Sequence, residues 1–397
     1  MKTFFRVLLL GIFAVVLTAA MTTAAFGQDD PAEEKAALYE KYTANYAGTI
    51  EQRRIAVKAG KEYIEKYGAN EADKEIVDYL KGAIPTIEKS IEDDLAAEAK
   101  RKLEAEKQAR YARFNKDVTA KNWDDTYVSG AEILAKEPDM LDVMLVLGSI
   151  GLDEISKTPP ISKYNDATIK YANMAVAKMN SGVKSKDYGA YAYTYNTKDN
   201  ATAWMNYTIG MIMYHSQGKT DPAKKKEALN YLYAATRFES DRKKEPRIYG
   251  TIGDWYFAKA TELNGERMKL DQADEANFEA IDKSVALEKA YADRAIDAYA
   301  RALQIARANT KVTQAYKDTM LDLIKKLYDF RYQKPELKTD DKINMYISGI
   351  MAKPMPDPAA EVTPVVETPV TTTDENATEG NAGSARTRTV STKTGNR

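Results

Sequence analysis

The chain has 397 residues, with 58 Lys+Arg against 59 Asp+Glu, a single histidine and no cysteine. Without thiols there is no disulfide, no thiolate nucleophile and no cysteine-based zinc or iron–sulfur centre. The balanced, interleaved charge excludes the concentrated basic surface of a nucleic-acid binder.

The N-terminus reads as an export signal over residues 1–27. Lys2 and Arg6 precede the apolar run Val7–Ala20, and small residues lead to Ala25-Phe26-Gly27, so cleavage is expected after Gly27. An uncleaved anchor is the alternative, because no charge falls between Val7 and Gln28 and a span of roughly 20 apolar residues crosses a bilayer. The chain has no cysteine to carry a lipid. Together these features place the protein in a bacterial periplasm or outside the cell. Removing Lys2 and Arg6 from the 58 basic residues leaves 56 against 59 acids, a mature charge near −3.

From about Ala32 to Ala352 the text is helical, with apolar residues at three- and four-residue spacing. Pro85, Pro138, Pro159, Pro160, Pro222, Pro246, Pro335 and Pro354 mark expected helix ends. The longest expected helix runs from about Thr86 to Lys121. Its stripe Ile87, Ile91, Leu95, Ala99, Leu103 is narrow and the rest is charged. That pattern predicts a half-exposed bridging helix, or alternatively a dimerising coiled coil. One stretch departs from helix: within residues 182–199, Tyr188, Tyr191, Tyr193 and Tyr195 interleave with small residues, predicting an extended insertion loop. Residues 353–397, punctuated by Pro354, Pro356, Pro358, Pro364 and Pro369, are expected to be disordered. Their basic end, Arg386 to Arg397, offers an attachment to an anionic envelope.

Tyr249-x2-Ile252-Gly253-x2-Tyr256 spaces an aromatic, an aliphatic-Gly pair and a second aromatic along one helix. Reduced forms are Met144-x2-Leu147-Gly148 and Asn206-x2-Ile209-Gly210. Companion patterns on following helices are Ala167-x3-Tyr171-x2-Met174, Ala228-x3-Leu232-x2-Ala235 and Ala295-x3-Tyr299-x2-Ala302, with Thr126-x3-Gly130-x2-Ile133 before Pro138. A small residue at the contact lets paired helices approach, and stacked pairs bury what one pair cannot. This set resembles the tetratricopeptide repeat. The three first-helix glycines are 62 and 43 residues apart rather than the family's roughly 34, so the repeats are degenerate and interrupted by insertions. The resemblance implies an all-α, TPR-like right-handed superhelix over residues 28–352.

By resemblance, the concave groove lined by first helices holds a peptide or protein partner. Carried onto this sequence, the groove positions are Trp204, Tyr207, Met211 and Tyr214, then Arg247, Asp254 and Phe257. The chosen partner-binding set is Tyr207, Met211, Tyr214, Arg247 and Asp254, with tyrosines to stack and Arg247 to pair with a carboxylate. The bland expectation is that these aromatics pack against neighbouring helices, Trp204 and Trp255 above all. The alternative function is glycan or peptidoglycan binding, for which Tyr188, Tyr191, Tyr193 and Tyr195 would form an aromatic platform.

Catalytic motifs are lacking. His215 stands alone, without a second histidine or any cysteine for a zinc site. Gly218-Lys219-Thr220 resembles the end of a phosphate loop, but Met213 occupies the required glycine position. Asp271–Glu279 lacks the glycine and spacing of a calcium loop. The reading is therefore of a non-enzyme without cofactor or metal, touching membrane only if the signal is retained.

Overall fold

The computed structural model describes residues 31–332 and 334–366. The signal segment 1–27 with its cleavage site, and the basic end of the tail, lie outside the described residues. Those described are helical apart from one two-stranded hairpin, and no helix among them is long and apolar enough to cross a membrane. The chain divides into two units, with the boundary at Arg113 and Phe114.

In the first unit, α1 (Pro31–Asn45) packs on α2 (Ile50–Tyr67), and α3 (Lys74–Thr119) completes the core with its opening turns. Thr49 and Gln52 form a reciprocal capping box that starts α2. Leu38, Tyr42, Val57, Tyr63, Val77, Leu80, Ile84, Ile87 and Ile91 fill the interior. Asp73 is buried at the turn before α3, where it accepts from Lys35 Nζ (2.8 Å), Asn70 Nδ2 (2.8 Å) and Tyr63 Oη (3.1 Å).

Pro85 does not end a helix, contrary to expectation; it sits inside the 46-residue α3. Proline removes one backbone donor and crowds the preceding turn. Ile84 and Ile87 on either side of it, with Ile91 a turn further on, are seated in the core, so packing holds the helix across the defect. Of the predicted stripe, Ile87 and Ile91 are buried whereas Leu95 and Leu103 are 39% and 64% exposed. Residues 92–106 are exposed throughout.

The second unit opens with the last turns of α3 and continues through α4 (Trp123–Lys136), α5 (Leu141–Leu147), α6 (Ile150–Ile155) and α7 (Asn165–Asn180). A hairpin of β1 (Gly189–Ala190) and β2 (Tyr193–Thr194) follows. Then come α8 (Lys198–His215), α9 (Pro222–Ala235), α10 (Pro246–Arg267), α11 (Phe278–Ala308), α12 (Gln314–Arg331) and α13 (Asp340–Gly349). Packing is mostly between chain neighbours: α7 on α8, α8 on α9, α10 on α11, α11 on α12. The result is a solenoid-like succession.

The glycines singled out in the sequence lie at these contacts. A Cβ at Gly210 would stand 2.7 Å from Leu232, and one at Gly253 would stand 2.7 Å from the ring of Tyr299. At Gly148 it would meet the backbone of Ala172, 2.8 Å from the amide nitrogen. Leu232 and Tyr299 are central positions of the companion patterns, and Ala172 follows Tyr171 of a third.

Two segments differ from expectation. Within residues 182–199 a short hairpin forms, with Gly189 opposite Thr194 and Ala190 opposite Tyr193, and Lys198 already opens α8. Gly189 has φ +125°, and a side chain there would strike the Tyr193 carbonyl oxygen, so only glycine fits. Residues 353–366, expected to be disordered, instead lie along α11. Arg301 donates to the Lys353 carbonyl (2.9 Å), Arg294 to the Asp357 carbonyl (3.4 Å), and the Val365 amide to the Ala286 carbonyl (3.1 Å). Alternating prolines limit the entropy lost when the segment is held, and α11 supplies donors to its carbonyls.

Candidate functional site

Thr197 caps α8 by accepting from the Asn200 amide, and α10 starts on Pro246 with the Glu245 side chain accepting from the Arg247 amide. These starts fix the rotation of both helices. On α8, Tyr207, Met211 and Tyr214 share one face at spacings of four and three; on α10, Arg247 and Asp254 share a face two turns apart. Asp254 is the hub: it accepts from Tyr299 Oη of α11 (2.8 Å) and lies within electrostatic reach of Tyr214, His215 and Tyr316. Tyr316 comes from α12 and donates its hydroxyl to the Pro246 carbonyl at the start of α10 (3.2 Å).

A second cluster adjoins the first through Glu245 and Arg247, which lie within electrostatic reach of both Tyr207 and Tyr316. Arg242 lies over the Trp204 ring at 3.9 Å and near the Tyr207 ring at 5.0 Å, and pairs with Glu245 at 3.3 Å. Trp204 meets Tyr207 edge-on at 5.9 Å and Tyr195 at 5.7 Å. Desolvated cation–π contacts of this kind contribute on the order of 1–2 kcal/mol.

The predicted set therefore converges but divides by accessibility. Arg247 and Asp254 are exposed and Met211 is half-buried. Tyr207 and Tyr214 are only 6% and 7% exposed, so their rings are wall rather than stacking surface, which corrects the expectation that they lie against a ligand. Lys225 covers the Tyr214 ring at 4.8 Å. Phe257 is half-buried, and Trp255 is buried as expected. Arg242, Glu245, Tyr299 and Tyr316 belong to the site but were absent from the sequence reading as site residues; Tyr316 lies 70 residues from its partner Pro246, beyond any local pattern.

The aromatic platform does not form. Tyr193 donates to Asp153 (2.8 Å) and Tyr195 is hydrogen-bonded to Ser149 (2.6 Å); both are buried. Tyr188 is half-buried, and Tyr191, 44% exposed, ties its hydroxyl to Asn115. These tyrosines pin the hairpin onto α6 and its surroundings, and a sugar would find one edge-tethered ring in place of four open faces.

Burial, with Asp254 adding to it, pushes the hydroxyls of Tyr214 and Tyr299 upward, and that of Tyr316 to about 12. All three stay protonated at neutral pH and can donate. His215 is held below its usual value, first by desolvation and then by Lys225 and Lys219, with Asp254 opposing. A group with a depressed folded pKa keeps its stability above the unfolded value and loses it as pH falls through the folded value. The His215 ring is accordingly expected to titrate below pH 6.5 by proton NMR, with its contribution to stability declining as the solution is acidified beneath that point.

An open groove of about 700 Å³ in the first unit is lined by α2 and α3. Among its charges, Lys61 pairs with Glu88 (2.7 Å) and Lys66 with Glu62 (3.0 Å). By contrast, the guanidinium of Arg247 has no ion-pair partner among the described residues. No group of three or more His, Asp or Glu among the described residues is arranged to hold a metal. No protein-family model, curated protein or solved structure matches this chain.

Proposed function

We propose that this protein is a non-catalytic, exported scaffold, a degenerate TPR-like superhelix that binds an extended peptide or protein segment across α8, α10 and α12. The observation that carries this reading is the pair Arg247 and Asp254, exposed on one face of α10 and separated by seven residues. At 1.5 Å per residue they stand about 10 Å apart, which an extended strand covers in about three residues. The partner segment would carry an acidic group opposite Arg247 and a basic group opposite Asp254. The TPR-like reading is supported by the meeting of Gly210 with Leu232 and of Gly253 with Tyr299. Glycan binding loses its support with the burial of Tyr193 and Tyr195.

The test is retention of envelope proteins on immobilised residues 28–397. Arg247→Ala and Asp254→Ala are each expected to weaken capture of the same few proteins about tenfold, the ~1.4 kcal/mol of a part-exposed charge-assisted contact. Thermal stability should change little in Arg247→Ala, whose side chain is exposed, whereas Asp254→Ala also strands the buried Tyr299 hydroxyl and is expected to cost about 1–3 kcal/mol. Undiminished capture by the double variant would contradict the assignment.

A further inference from the structure

Residues 353–358 read Lys-Pro-Met-Pro-Asp-Pro, with proline at every second position. Such a run favours the extended polyproline conformation at about 3.1 Å per residue. It also offers few backbone N–H groups, so a receptor must recognise its carbonyls. That is what α11 does: Arg301 donates to the carbonyl of residue 353 and Arg294 to that of residue 357. Four residues of the segment span about 12 Å, and the seven helical residues between the arginines span about 10 Å, so the two spacings match.

Aromatic rings complete the surface. Lys353 Nζ lies 5.0 Å from the centre of the Tyr346 ring, and Tyr256 lies within electrostatic reach of Arg294 and Asp357. The Tyr256 hydroxyl is buried without a hydrogen-bond partner, and its ring sits 6.2 Å from that of Tyr291. Aromatic rings beside donors to carbonyls are the elements by which proline-rich segments are bound elsewhere. After Asp357 the backbone turns, with the Ala360 amide donating to the Asp357 carbonyl (3.1 Å), and the segment rejoins α11 at Ala286.

The segment is lightly held. Within residues 353–366, Pro358 alone is buried, and hydrogen bonds to α11 are made at Lys353, Asp357 and Val365. Those to Lys353 and Asp357 are made to backbone carbonyls, so they select the alternating-proline shape rather than a particular side chain. We propose that this face of α11 is a receptor site for alternating-proline peptide segments, and that residues 353–358 are its resident intramolecular ligand, displaced by a partner segment of the same x-Pro-x-Pro-x-Pro kind. It is a second site, independent of Arg247 and Asp254.

The probe is a labelled peptide of residues 353–366, added to the full chain. With Pro354, Pro356 and Pro358 all changed to glycine, the tethered ligand loses its preorganisation. The free peptide is then expected to bind at least ten times tighter than it binds the unmodified chain. Adding Arg294→Ala should remove the gain. Far-UV circular dichroism establishes that each variant is folded. On the unmodified chain, peptide at several times the roughly millimolar effective concentration of a short tether is expected to abolish protection of the Val365 amide from hydrogen exchange. A folded glycine variant with no gain, a gain indifferent to Arg294→Ala, or a Val365 amide unmoved by peptide would each overturn the proposal.

Discussion

Asp297→Ala is expected to lower the free energy of unfolding by about 3–5 kcal/mol, the range for stripping one member from a buried ion pair. Arg301 is 3% exposed; its guanidinium is held by both Asp297 oxygens (2.7 and 3.2 Å) and by the Lys353 carbonyl. The pair itself is no large net gain. Burial raises the Asp297 carboxyl above its usual range despite the opposing attraction of Arg301, so desolvation consumes much of what the pairing supplies. Removing the acid alone leaves a cation with one carbonyl and no counter-charge. Asp297→Leu combined with Arg301→Met should recover most of the loss, because neither charge is then buried. Urea unfolding followed by circular dichroism separates the cases. Equal stability of Asp297→Ala and the unmodified chain would mean that Arg301 is solvated rather than enclosed.

The second large effect is expected at Gly148. A methyl group there would lie 2.8 Å from the Ala172 nitrogen and 2.9 Å from its Cα. These are backbone atoms, so no side-chain rotation relieves the clash, and α5 must move away from α7. Gly148→Ala is expected to cost about 1–3 kcal/mol. Gly265→Ala is the control: it lies near the end of α10, its Cβ would meet nothing within 4 Å, and helix propensity favours alanine by about 1 kcal/mol. Opposite signs at two helix-associated glycines, read from the same unfolding curves, would locate the effect in helix–helix approach rather than in glycine content.

The same contacts explain how much of the fold the sequence disclosed. Gly210 and Gly253, and Leu232 and Tyr299, were each legible in a spacing, because close approach demands a small residue in one helix and a bulky one in the next; which meets which is set by the packing. Helix boundaries were legible where a proline opens the helix, as at Pro222 and Pro246. Pro85 misled, because its local cost is outweighed by isoleucines whose partners, among them Tyr42 and Tyr63, lie on other helices. The tyrosine-rich segment misled for a related reason. Exposure of Tyr193 and Tyr195 depends on whether Asp153 and Ser149 wait beneath them, some 40 residues back in the chain. The order of residues 353–366 was hidden too, since its composition is that of a free tail and its receptor is a face of α11. Arg247 and Asp254 emerged from the repeat register, whereas Tyr316 and Arg242 reach the site only through tertiary packing.

The α8, α10 and α12 face is proposed to bind an extended segment through Arg247 and Asp254. Selection of a display library of short random peptides against the full chain tests it most directly. Enriched peptides are expected to carry an acidic and a basic residue about three positions apart, and their binding to fall at least tenfold in the Arg247→Ala, Asp254→Ala double variant. Enrichment of peptides that lack this charge spacing, or that bind the double variant equally well, would contradict it.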